Sequence, residues 1–265
     1  MTGRRLVSRV HEDDVTRVVR HMRADPAAPH RLADLAALAT LSPSHFHRTF
    51  HRVTTTTPAR YLTAVRMTVA KRLLAETDLT VTVVCARVGY ASLGTFTTQF
   101  TRLVGTSPGA YRRAVDRVGG LRMGELLDSV EVPARSAAVW GTVLGGPARP
   151  AVLFTGLFGA DLPQGRPVGC ALVPVADRGS RVELGSPADG DYRAFTVCLD
   201  GGTTVVRALC GESQDHEGWG RAEVRVWRGA QLGLPFVVRL RDARPYDPPV
   251  VPAVPLLFAL HRHKG

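Results

Sequence analysis

HRLADLAALATLSPSHFHRTFHRV, residues His30–Val53, and VCARVGYASLGTFTTQFTRLVGTSPGAYRR, residues Val84–Arg113, are two versions of one pattern. In the first, Leu32, Leu35, Ala36 and Ala39 fall at i, i+3, i+4 and i+7, one face of a short amphipathic helix. Val81, Val84, Cys85 and Val88 repeat that spacing 49 residues later. A turn and a second helix follow each time. Ser42-Pro43 opens the first of these helices with a capping hydroxyl and a proline at the first helical position. Phe46 and Phe50 mark its apolar side, and Phe96 and Phe100 do so in the second copy. Their offset is 50, so the second turn is one residue longer. The offset then holds for Arg52 and Arg102, Pro58 and Pro108, and Tyr61 and Tyr111. Thr57-Pro58 and Ser107-Pro108 predict two more capped helix starts. Two helix-turn-helix units stand in tandem.

Between them, Pro58 to about Glu76 reads as one helix with Leu62, Val65, Val69 and Leu73 on one side. At 1.5 Å per residue such a helix is about 28 Å long. That is close to the roughly 34 Å between successive major-groove segments on one face of B-DNA. Charge points the same way. Residues 1–118 hold 18 bases against 8 acids, whereas residues 119–265 hold 16 against 15. Nearly all of the net charge of +11 therefore sits on the first half, which suggests a polyanionic partner, nucleic acid above all.

The segment HRLADLAALATLSPSHFHRTFHRV…TPARYL…RMTVAKRLLAET with the second copy resembles the DNA-binding domain of the AraC/XylS family of bacterial transcription regulators, over about residues 11–115. The specific part is G-Y-x-S-x-x-x-F-x-x-x-F-x-R-x-x-G-x-S-P-x-x-Y-R, from Gly89 to Arg112. Thr55 departs from it, standing where the family usually ends the first recognition helix with glycine, as Gly105 does in the second. Gly94, inside the second recognition helix, should loosen it. The resemblance implies double-stranded DNA as partner, RNA polymerase as a second one, and activation as the family's tendency.

In a helix-turn-helix the second helix enters the major groove, and its exposed N-terminal residues meet base edges. With Phe46 and Phe50 inward, Ser44, His47, Arg48 and His51 face out. Arg48 is the strongest candidate, because its fork can bond guanine O6 and N7 together. The family's base-contacting positions map onto Ser44, His47 and Arg48, and in the second copy onto Gly94, Thr95 and Thr98. The second set offers only hydroxyls and methyls, so the first helix should supply most hydrogen-bonded readout. Arg52, Arg102, Arg60, Arg112 and Arg113 are candidates for phosphate. His47 and His51, at i and i+4, lack a neighbouring carboxylate or cysteine, which argues against a metal site.

The second half reads differently. Gly119-Gly120 marks a break, and residues 119–150 read as a linker containing a short helical piece, Leu121 to Leu127. From Ala151 come short strands: Ala151–Phe158, Val168–Val175 and Tyr192–Leu199, then Thr203–Leu209 across an Asp200-Gly201 hairpin turn. Alternation continues in Ala222, Val224 and Val226, and in Phe236, Val238 and Leu240. The expected architecture is thus two domains. Residues 1–118 form an all-α tandem helix-turn-helix of about seven helices, and residues 151–265 an all-β antiparallel sandwich. The stretches LPQGRPVGCALV and SPADGDYRAFTV resemble transthyretin-like and carboxypeptidase-regulatory-like sandwiches, loosely. This half resembles neither the family's jelly-roll sugar-binding domain nor its α/β drug-sensing domains.

Other classes find little support. No catalytic constellation or cofactor motif is present; His216, between Asp215 and Glu217, reads as a solvated loop. Cys85, Cys170, Cys198 and Cys210 form no C-x-x-C pair, and none has the P-C-H-R setting of an alkyl-transfer repair domain. Val250 to Leu260, broken by Pro252 and Pro255, is too short to span a bilayer. The first residues lack the apolar stretch of a signal peptide, so a soluble, cytoplasmic, non-enzymatic protein is expected. For the second half two roles stay open: an interaction module, forming a homodimer or touching polymerase through its proline-rich tail, or a sensor for an unidentified small-molecule effector.

Overall fold

The computed structural model describes residues 2–129, 137–159, 161–210 and 216–253. Eight helices come first: α1 (Thr2–Ala24), α2 (Leu32–Leu38), α3 (Pro43–Thr54), α4 (Pro58–Glu76), α5 (Val81–Arg87), α6 (Leu93–Val104), α7 (Pro108–Val118) and α8 (Met123–Ser129). The caps expected from the sequence are made. Ser42, Thr57 and Ser107 each accept a hydrogen bond from the backbone N–H three residues on, and each is followed by proline. Among the described residues no helix is long and apolar enough to cross a membrane.

The β half follows as β1 (Trp140–Leu144), β2 (Ala151–Phe158), β3 (Gly169–Pro174), β4 (Ser180–Glu183), β5 (Gly190–Asp200), α9 (Val205–Cys210), β6 (Gly218–Trp227), β7 (Ala230–Gln231) and β8 (Phe236–Arg239). They make a three-stranded sheet ordered β4-β1-β8 and a five-stranded sheet ordered β3-β2-β5-β6-β7. All pairings are antiparallel except β1 with β8.

Four expectations need correction. β1 lies within residues 119–150, so part of that stretch is sheet rather than linker. Thr203–Leu209 is not a returning strand. Asp200 bonds the N–H of Gly202, Thr204 accepts from the N–H of Arg207, and the chain turns into α9 with Val205, Leu209 and Cys210 inward. The spacing i, i+4, i+5 suits a helix face better than alternation. His216 is buried, because the Glu217 N–H bonds the Cys198 carbonyl and draws the loop onto β5. Finally, the start of the proline-rich tail is not an exposed patch: Val251 and Ala253 are buried, and their N–H groups bond the carbonyls of Pro163 and Val104. The rest of that tail lies outside the described residues.

The strand β2 explains how the halves meet. Every residue of it is buried. Ala151, Leu153 and Leu157 face a core between the two sheets, with Val143, Val182, Val224 and Val238. Val152, Phe154 and Phe158 face the other way, into a core that also holds Val84, Phe96, Phe100 and Tyr111 of the second helix-turn-helix unit. A continuous apolar run is what a strand covered on both faces requires. The first unit has a separate core of Val15, Val18, Met22, Leu35, Phe46, Phe50 and Tyr61. The helix α4 enters both, giving Leu62 and Val65 to one and Met67, Ala70 and Leu74 to the other.

Lys71 of α4 is fully buried under the β half. Its Nζ donates to the carbonyls of Leu209, at 2.7 Å, and Val250, at 3.0 Å. It thereby bonds a carbonyl in the last turn of α9, where helices leave acceptors without an intrahelical donor. Burial lowers its pKa from 10.5 to about 8, with Cys210 pulling weakly the other way. The folded chain thus holds this proton less tightly than the unfolded chain. Below about pH 8 the ammonium's desolvation opposes folding, and the penalty is relieved as pH climbs toward 10.5. Relative to a Lys71→Met variant, the wild type should gain up to about 3 kcal/mol across that window. Urea denaturation of both proteins at neutral and alkaline pH measures the difference; a constant gap would place the lysine in water.

Candidate nucleic-acid interface

Each unit is built from the same parts. α2 and α5 are both seven residues long, and α3 and α6 both twelve. Ser42 caps α3 and Ser92 caps α6, each accepting from the N–H three residues later at 3.4 Å. Beneath each second helix runs an edge-to-face or tilted aromatic triplet. Phe46, Phe50 and Tyr61 have centroid separations of 5.5 and 5.6 Å; Phe96, Phe100 and Tyr111 have 5.7 and 5.8 Å. With one side of α3 and α6 anchored in this way, the other side is left to solvent.

Ser44, His47 and Arg48 are exposed on α3, and Gly94, Thr95 and Thr98 on α6. Among the described residues the side chains of Ser44, His47 and Arg48 make no hydrogen bond or ion pair, so the fold leaves them unused. Gly94 sits in the first turn of α6, where a Cβ would meet the Ser92 hydroxyl at an ordinary 3.8 Å. Arg52 and Arg102, in the last turns of α3 and α6, are exposed but engaged: Arg52 with His11 Nδ1 and Thr49, Arg102 with Gln99 Oε1 at 2.7 Å. None of these partners is a carboxylate, so among the described residues both guanidiniums keep their charge uncompensated.

Arg112 departs from the expectation that it faces phosphate. Its guanidinium donates to the carbonyls of Leu74, Thr77 and Leu79, closing the end of α4 and the start of α5. Arg66 does similar work at the first unit, bonding the carbonyls of Pro26 and Ala28 and lying over the Tyr90 ring at 5.8 Å. The two units are therefore braced against each other. The turn of the second unit is part of that contact: Gly89 has φ +79°, and a Cβ there would lie 2.7 Å from the Ala27 carbonyl. The motif reveals the glycine. The motif ends on Arg112, which braces, and leaves out Arg113, which is exposed, but it does not show that Arg112 serves the fold rather than phosphate.

The helix ends differ as the sequence suggests, since both caps are left-handed but only one is glycine. Gly105 has φ 92° and Thr55 has φ 61°. A β-branched residue pays on the order of 1–2 kcal/mol for that conformation. Thr55 Oγ1 accepts a hydrogen bond from Arg221 of β6 at 2.8 Å, so the strained cap is held by the β half. At the end of α6 the Leu103 carbonyl accepts from Gly165 N–H and the Val104 carbonyl from Ala253 N–H. The C-termini of both exposed helices are thus tied to the same neighbour.

Residues 35–114 match the helix-turn-helix domain family. Over 92 residues the chain is 39% identical to an HTH-type transcriptional regulator of Mycobacterium tuberculosis, covering 35% of this chain and 36% of that one. Over 92 residues it is 35% identical to a putative AraC-like transcription regulator of Streptomyces lividans, covering 35% and 30%. Residues 35–114 are a helix-turn-helix domain similar to those of HTH-type and AraC-like transcription regulators. The chain is also 35% identical over 98 residues to RclR, an RCS-specific HTH-type transcriptional activator of Escherichia coli, covering 37% and 34%. It spans about a third of the length of these curated relatives. The helix-turn-helix domain accounts for both exposed helices and for Arg112. It does not account for Arg221 or for anything else beyond α7.

The cysteines of the β half are held as thiols. Burial pushes the Cys170 thiol up to about 12, Cys198 up to about 11, and Cys210 upward as well, so all three stay protonated at neutral pH.

Replacing Arg112 with Met removes three charge-assisted bonds and should cost about 2–3 kcal/mol of stability, whereas Arg113→Met should change it by less than about 0.5 kcal/mol. Urea denaturation of the two variants distinguishes brace from surface.

Proposed function

We propose that the chain is a sequence-specific DNA-binding transcription regulator that reads two adjacent major-groove segments with α3 and α6. The observation that carries this is the pair of duplicated helices whose outward residues have no role in the fold. Ser44, His47 and Arg48 are exposed and unengaged on a half of the chain with ten surplus positive charges. Arg48 supplies bidentate readout of guanine, His47 and Ser44 adaptable contacts, and Thr95 and Thr98 contact with thymine methyls. Gly94 leaves room for the backbone to approach. Arg52, Arg102, Arg60 and Arg113 neutralise phosphate, and α4 sets the spacing between the two helices. Activation through contact with RNA polymerase is the mode that the activator among the relatives suggests.

The β half modulates this reading by contact with another protein, a second copy or the polymerase. Support comes from Trp227, Leu232, Leu234 and Val237, which between β6 and β8 expose 58, 49, 88 and 48% of their surface. A Trp227→Ser, Leu234→Ser variant should weaken that contact and leave DNA affinity unchanged. Native mass spectrometry reads the first effect when the contact joins two copies.

Arg48→Ala should weaken binding to a selected DNA site by about 1–3 kcal/mol and relax preference at one base pair, with Thr98→Ala affecting binding less. Electrophoretic titration on the selected site and on random DNA at fixed salt measures both. Wild-type affinity and preference in the arginine variant would overturn the docking of α3.

A further inference from the structure

A cleft of about 560 Å³ opens between the end of α3 and the β half. Its volume lies within the range of small-molecule sites. Five arginines line it: Arg52 from α3, Arg221 from β6, Arg239 from β8, and Arg241 and Arg244 beyond β8. The acids that line it are Glu12 and Asp247, and both are already engaged. Asp247 takes both arms of the Arg241 guanidinium, at 2.7 and 2.5 Å, and Glu12 lies 3.8 Å from Arg244. Among the described residues the other three guanidiniums have no carboxylate. Arg52 holds His11 and Thr49, Arg221 holds the Thr55 hydroxyl, and Arg239 holds nothing among the described residues. Scattered surface arginines are ordinarily just solvated. Here three uncompensated ones reach a single cavity from three separate elements.

We infer that this cleft binds a small polyanion, a molecule with two or three carboxylate or phosphate groups. Guanidinium forks match those groups with paired hydrogen bonds, and three such charges converge where, among the described residues, no anion is left to meet them. Trp219, Leu240 and Tyr246 add ring and aliphatic surface to the same walls, which suits an anion with an organic body. The site joins the two halves. Arg52 and Thr55 end the first recognition helix, while Arg221 and Arg239 belong to the sheets. A ligand spanning them engages Arg52, withdraws it from DNA phosphate and bears on the left-handed cap. Bound anion therefore weakens DNA binding, and DNA weakens anion binding by the same factor. This last coupling rests on the reading of α3 as a recognition helix; the anion site does not.

The test is isothermal titration of the full chain, without DNA, with sodium citrate and with sodium pyrophosphate, against sodium chloride at matched ionic strength. Saturable binding of one equivalent of either probe is expected, and the probe that binds tells carboxylate from phosphate. Arg239→Gln and Arg221→Gln should each weaken it about tenfold, the loss of one charge-assisted contact. Both are surface changes distant from Ser44, His47 and Arg48, and circular dichroism checks their folding. No saturable binding of either probe beyond the chloride control, or binding indifferent to both variants, overturns the proposal. So does a loss of DNA affinity in the variants with no anion binding by the free protein, which would make the cleft part of the phosphate-tracking surface. Anion binding that leaves DNA affinity untouched retains the site and overturns the antagonism.

Discussion

A helix buried on nearly every side has to be wrapped, and α4 is such a helix. Tyr61, Leu62, Ala64, Val65, Met67, Thr68, Ala70, Lys71 and Leu74 are all buried along its length. No single helix-turn-helix unit can cover them, because each presents one apolar stripe. The first unit takes the N-terminal turns, the second takes the middle, and α9 with the segment around Val250 closes over Lys71. The relative placement of the two recognition helices follows from this. The first is fixed to α4 through Tyr61 of its aromatic triplet, the second packs on α4 in the core that Phe96, Phe100 and Tyr111 share with Met67, Ala70 and Leu74, and the β half completes the sheath that holds α4 in place.

The helical half was almost fully legible because it is a repeat. Serine-proline and threonine-proline caps, two phenylalanines and one tyrosine recur at one offset, and each recurrence has a local physical reason. Even the longer second turn shows in the shift from 49 to 50. The exposed residues could be named for the same reason, since they are what remains once the phenylalanines are placed inward. Arg112 was not legible. Its three acceptors are backbone carbonyls, which leave no mark in a side-chain pattern.

The β half was legible where pattern and burial agree, as at β2, and opaque where tertiary contact decides. Strand β1 has five residues and pairs with β4 and β8, roughly forty and ninety-five positions further on, so nothing nearby in the chain announces it. Val205–Cys210 is rich in valine and leucine and suits a strand by composition. It becomes a helix that turns Val205, Leu209 and Cys210 onto the core, with Lys71 of α4 bonding the Leu209 carbonyl near its end. The arginine cleft was invisible for a related reason: its walls come from α1, α3, β6 and β8, and no motif links them.

The core shared by β2, α6 and α7 also bears on how the chain is made. A ribosome releases the helical half first, yet Phe96, Phe100 and Tyr111 find their full cover only when β5, α9 and the stretch to Ala253 have followed. At ordinary rates of translation that delay is on the order of ten seconds. During that interval a helical half already rich in positive charge carries an uncovered apolar flank. Its solubility as a nascent chain then depends on that charge, or on whatever holds the flank until the sheet arrives.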